Sequence, residues 1–86
     1  MSISHIVIFI INNMMRLKKL REESMLTQQA VADYLHIRQN TYSQYETLQR
    51  QVPIEVLIAL SDFYNVSVDY LLGLTDEETR YPRSRG

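Results

Sequence analysis

Between Leu17 and Leu72 the apolar residues fall into short blocks at helical spacing, and each block is bounded by a residue suited to start or stop a helix. Leu17 and Leu20 lie three apart among Arg16, Lys18, Lys19 and Arg21, which reads as a short amphipathic helix from about Met14 to about Ser24. Thr27 stands at an N-cap position, and Val31, Ala32 and Leu35 then line one face of a second helix over 28–35. A break follows at His36 and Ile37. A third helix spans 39–46, with Thr41, Tyr42 and Tyr45 inward and Gln39, Asn40, Ser43 and Gln44 outward. A polar loop, 47–52, leads to Pro53, a residue suited to the first turn of a helix. Ile54, Leu57, Leu60 and Tyr64 mark that fourth helix, which ends near Asn65. Ser67 caps a fifth, short helix through Leu72, and Gly73 stops it.

Five short helices suit the size of the chain. Its 86 residues support one domain with one modest core. With two glycines and two prolines, a turn-rich β architecture is a poor fit. There is no cysteine, which excludes disulfides and zinc–thiolate sites and fits a reducing cytoplasm. His5 and His36 are far apart and have no ligand-spaced partner, so no metal site is expected. Glu55, Asp62 and Asp69 read as solvated or capping residues rather than an acid–base pair. No glycine-rich phosphate loop and no nucleophile motif is present, so the chain is read as a non-enzyme without a cofactor. The tyrosines at 34, 42, 45, 64 and 70 fall at helical spacing and read as core edges rather than a base-stacking platform.

The two ends differ from the middle. Residues 1–13 contain the apolar run from Ile6 to Ile11, too short to span a bilayer and without the basic start and cleavage site of a secretory signal. Two readings stay open: a strand pairing with the same segment of a second chain, or a disordered leader upstream of a domain over 14–74. The second is the simpler, with Met14 or Met15 as a natural start. Residues 75–86 read as a polar tail.

The third helix carries the chemistry. The major groove, about 12 Å wide, admits one helix, and glutamine or asparagine amides bond both N6 and N7 of adenine. A short helix braced by its predecessor and displaying Gln39, Asn40, Ser43 and Gln44 is therefore a reading surface, with Arg38 at its start able to reach a phosphate or a guanine. The alternative is an ordinary solvated polar face. Nine basic and ten acidic residues give a net charge of −1, unlike the basic face usual for DNA binders. Some of the surplus acid lies in Asp76, Glu77 and Glu78. Residues 28–51 hold Arg38 and Arg50 against Asp33 and Glu46, so a DNA face here is weakly basic and depends on its amides.

The ordered set LR…LTQ…VA..L…TYS.YE…P…L..L…..VS.DYLLG, over about Arg16 to Asp76, resembles the Cro/C1-type (XRE) helix-turn-helix family. The resemblance implies an all-α, five-helix, lambda-repressor-like DNA-binding domain. It implies a bacterial or phage transcriptional regulator, in particular a repressor, that binds duplex DNA through the major groove as a homodimer on a near-palindromic operator, with no membrane involved. By position, Gln28 matches a backbone-contacting glutamine, Gln39, Asn40 and Gln44 match base-reading positions with Ser43 on the same face, and Arg50 lies in a loop that touches phosphates. Arg21 and Glu46 match a buried salt bridge that holds the first helix against the third. The alternative on the same fold is an antitoxin-like or anti-repressor module whose main partner is a protein.

The chain also departs from the family pattern. His36 replaces the glycine of the turn, which implies a strained or altered turn. Arg38 stands where relatives have a Ser or Thr cap, and Ala30 removes the reciprocal partner of Thr27. Tyr42 replaces a smaller aliphatic residue and needs a place for its hydroxyl. Leu48 replaces a glycine, and a left-handed conformation there costs energy.

Overall fold

The computed structural model describes residues 16–80, which form five helices and no strand. The apolar leader, Met14 and Met15, and residues 81–86 lie outside the described residues. The helices are α1 (Arg16–Glu23), α2 (Gln28–Leu35), α3 (Gln39–Glu46), α4 (Ile54–Tyr64) and α5 (Val68–Leu71). The fold is the all-α arrangement implied by the resemblance.

Each helix stops for a local reason. At the end of α1, Met25 turns to φ 59°, and the Leu26 N–H returns to the Arg21 carbonyl at 3.1 Å. At the start of α2, the Thr27 hydroxyl accepts from the Ala30 N–H at 3.1 Å, a side-chain cap that needs no partner from residue 30 itself. At its end, His36 takes φ 58° and ψ 40°, and the Ile37 N–H closes onto the Ala32 carbonyl at 3.0 Å. His36 thus reproduces the left-handed turn that glycine makes freely, at the steric cost of its Cβ. Arg38 then leads into α3 with extended backbone and no side-chain cap. Pro53 sits one residue earlier than the sequence suggested, as the N-cap of α4, with its carbonyl accepting from Val56 and Leu57. Asn65 ends α4 at φ 55°, a conformation asparagine tolerates. Ser67 caps α5 by accepting from the Tyr70 N–H at 2.9 Å, and Gly73, at φ 75°, ends that turn.

The core is built where the helices meet. Leu17, Val31, Tyr42, Leu60 and Leu71 are fully buried, one or more from each helix. A buried leucine truncated to alanine costs about 2–5 kcal/mol in such a core. Tyr34 of α2 meets Phe63 of α4 with ring centroids 4.4 Å apart, and Phe63 meets Tyr64 edge-on. Ile54 does not join the inner face of α4 and is 66% exposed. At about 100° per residue it shares the side of Leu57 and Ser61, but as the first residue of α4 it stands at the exposed end of that stripe. The buried stripe is completed instead by Ser61, whose hydroxyl donates to the Val66 carbonyl.

The first and last described segments are tied together. The Arg16 guanidinium donates to the carbonyls of Tyr70 (2.9 Å) and Thr75 (2.6 Å), pairs with Asp76 and lies 4.2 Å above the Tyr70 ring. Downstream, the Ser67 N–H donates to the Glu78 carbonyl at 3.0 Å, and Arg80 pairs with Asp62.

Candidate nucleic-acid interface

The three residues from His36 to Arg38 join α2 to α3, so the first residues of both helices, Gln28 and Gln39, come within reach of each other. The Gln39 Nε2 donates to the Gln28 Oε1 at 2.6 Å. The Gln28 Nε2 in turn donates to Glu46 Oε1 at 3.0 Å. Glu46, at the end of α3, is 2% exposed and is gripped by Arg21 of α1 through two bonds, Nε to Oε2 at 2.6 Å and Nη2 to Oε1 at 3.1 Å. The remaining Arg21 nitrogen donates to the Leu26 carbonyl. A continuous polar chain therefore runs from a buried ion pair, through Gln28, to the first side chain of α3.

The electrostatics of this chain follow from its partners. Burial pushes the Glu46 carboxyl up, but hydrogen bonds from Arg21 and Gln28, with the Tyr42 hydroxyl alongside, outweigh burial and hold it below the usual carboxylate range. The Arg21 charge is reinforced by the same bond. Tyr42 is fully buried, and its hydroxyl lies beside Glu46 without a hydrogen bond of ordinary geometry. Burial and the Glu46 charge push it well above the usual phenol range. Tyr64 has a buried, unpartnered hydroxyl near the same pair, pushed up by burial to about 12.

The other candidate residues lie along α3 and just beyond it. Asn40 is exposed, and Gln39, Ser43 and Gln44 are half-buried. Arg38 is exposed at the N-terminal end of α3. After α3 the chain reverses at Leu48, φ 62°, which keeps the left-handed turn despite its side chain. That reversal returns the Gln49 and Arg50 N–H groups to the Gln44 carbonyl, at 2.9 and 3.3 Å. It also brings the Arg50 Nε to the Gln44 Oε1 at 2.9 Å.

Sequence reasoning named these residues but missed two contacts, Gln28 with Gln39 and Arg50 with Gln44. The first had a signal: both glutamines open helices that flank one short turn. The second depends on the backbone reversal at Leu48, which composition does not reveal. Among the described residues no group of histidines and carboxylates could hold a metal ion, and no helix is long and apolar enough to cross a membrane.

A family model described as helix-turn-helix matches residues 17–71, from α1 to the end of α5. The chain belongs to the Cro/C1-type helix-turn-helix family. It is 40% identical over 62 residues (72% of this chain, 55% of the relative) to the uncharacterized HTH-type transcriptional regulator YobD of Bacillus subtilis (strain 168). It is 45% identical over 58 residues (67% and 46%) to the HTH-type transcriptional regulator ImmR of the same organism. To the HTH-type transcriptional regulator AnsR, also from that organism, it is 33% identical over 72 residues (84% and 62%). The chain spans about half the length of the curated relatives it matches. No solved structure matches it significantly. In this helix-turn-helix domain α2 and α3 are the paired helices, with α3 in the position of the recognition helix.

Proposed function

We propose that this chain is a sequence-specific, DNA-binding transcriptional regulator, acting in the cytoplasm as a repressor that occludes its operator. α3 lies in the major groove, Gln39, Asn40, Ser43 and Gln44 face the base edges, and Gln28, Arg38 and Arg50 hold the phosphates. The observation that carries this reading is the anchored amide of Gln39. An ordinary solvated glutamine is free to rotate, whereas this one is tied through Gln28 to a buried ion pair. Anchoring lowers the entropy lost when the side chain meets a base. Gln28 opens an eight-residue helix, where a phosphate oxygen is favoured by free N–H groups and the helix dipole. The chain acts as a homodimer, matching two half-sites about one helical turn apart.

The test is selection of bound duplexes from random DNA, followed by affinity measurements on the selected site. Gln39→Ala and Asn40→Ala are expected to lower discrimination by about 1–3 kcal/mol each at one base pair. Full discrimination retained by both variants means that α3 is not the reading element.

A second reading, an antitoxin-like or anti-repressor module with a protein partner, is favoured by the net charge of −1 and by Ile54 and Ile58, exposed one turn apart on α4. A stable protein complex recovered with no enriched DNA would support it.

A further inference from the structure

The two bonded glutamines of α3 are held with opposite polarity, and each polarity is fixed by chemistry. A carboxylate such as Glu46 only accepts, so the Gln28 atom beside it is its Nε2, and the Gln28 Oε1 then faces Gln39 and receives a bond from Gln39 Nε2. An arginine Nε only donates, so the Gln44 atom beside Arg50 is its Oε1. Gln39 has therefore given up one of its two N–H donors and keeps its Oε1 for a ligand. Gln44 has its Oε1 engaged by a cation and keeps both N–H donors. Among the described residues no acceptor takes them.

We propose that Arg50 is a positioning residue that makes Gln44 read bases as a donor, selecting guanine or thymine over adenine or cytosine at the position it contacts. This rests on the major-groove reading above. In that groove guanine presents N7 and O6 and thymine presents O4, all acceptors; adenine shares the N7 acceptor but sets its N6 donor where guanine has O6, and cytosine presents the N4 donor. A guanidinium on Gln44 Oε1 repels a base N–H from that oxygen and leaves the amide nitrogen for a keto oxygen. The geometry is built by the backbone. Leu48 turns the chain, Gln49 and Arg50 both donate to the Gln44 carbonyl, and the Arg50 side chain is thereby laid along Gln44. With its Nε on Gln44, Arg50 retains its two terminal nitrogens for a phosphate, so one side chain can link backbone contact to base choice.

The test uses sites selected from random DNA by the full chain and by Gln44→Ala, Arg50→Met and Arg50→Lys. The base position whose preference collapses in Gln44→Ala is the one Gln44 reads. There the unaltered protein is expected to prefer guanine or thymine. Arg50→Met is expected to raise adenine relative to them by about tenfold, within the range one good base contact discriminates, and to leave the Gln39-dependent position unchanged. Arg50→Lys, still a donor-only cation, is expected to restore the preference. An equal loss of affinity for all sequences in Arg50→Met, with base preferences intact, overturns the proposal, and so does an amino base at the Gln44 position. A measurement without DNA separates this inference from the functional reading. In the free protein Arg50→Met should shift the Gln44 side-chain amide resonances and leave those of Gln39 in place. Unshifted Gln44 resonances overturn the positioning role even if the protein binds DNA, whereas shifted resonances with no selective DNA binding sink the regulator reading and the base preference with it.

Discussion

His36 and Leu48 show what single residues cost and contribute here. Both hold left-handed backbone with a Cβ in place, at φ 58° and 62°, and both make turns on which the interface depends. Such a conformation costs about 1–2 kcal/mol for an L-residue other than glycine. His36 is exposed and gives up little packing, so His36→Gly is expected to raise stability by about 1 kcal/mol, less glycine's extra unfolded-state entropy, as read by denaturant unfolding. A clear loss of stability would mean that the imidazole holds the turn by other contacts. Tyr64 offers a second test. Its hydroxyl is buried without a partner, and an unsatisfied buried group costs about 1–3 kcal/mol, so Tyr64→Phe is expected to be neutral or stabilising at neutral pH. The phenol ionises near 10 in the unfolded chain and near 12 in the fold. The raised folded value makes its contribution complete below the unfolded value, and that contribution is lost as pH rises through the folded one. Alkaline loss of stability should therefore be shallower in Tyr64→Phe.

Between elements, the interface depends on the ion pair that joins α1 to α3. Removing one member of a buried pair leaves the other charge uncompensated, which costs about 3–5 kcal/mol. Glu46→Gln is expected to destabilise the domain by that order at neutral pH, as measured by thermal unfolding. The folded Glu46 carboxyl is held below its unfolded value of about 4.3, so its contribution is present above that value and is lost as pH falls through the folded one. The gap between the variant and the unaltered protein should close in that acid range, and a gap constant down to acid pH would contradict the assigned direction. The helices themselves were legible from sequence because local groups set their ends: Thr27 and Ser67 as caps, Asn65 and Gly73 as stops. Errors arose where geometry beyond the next turn decides. Ile54 is apolar and at helical spacing, on the same side as Ser61, yet as the first residue of α4 it is left exposed where Ser61, two turns on, is buried. Gln28 was assigned to DNA from the resemblance and Gln39 already from its place on the outward face of α3, but their mutual bond depends on how α2 crosses α3.

At the scale of the whole molecule, net charge and local face diverge. A chain of charge −1 attracts DNA weakly at long range, so its affinity must come from a few placed contacts. Part of the acid is neutralised within the fold, with Glu46 on Arg21, Asp76 on Arg16 and Asp62 on Arg80. This pairing was not legible in composition, since charges distant in sequence meet only after folding. In the proposed complex selectivity comes from α3 presenting amides to base edges, while arginines beside it hold the phosphates. The most direct measurement is the ratio of specific to nonspecific affinity, followed against salt, for the unaltered protein, Gln39→Ala and Arg38→Ala. Gln39→Ala should shrink that ratio and leave the salt slope as it was, whereas Arg38→Ala should reduce the slope by about 1. A ratio that Gln39→Ala leaves untouched, at a salt concentration where the unaltered protein binds selectively, would contradict base reading by α3.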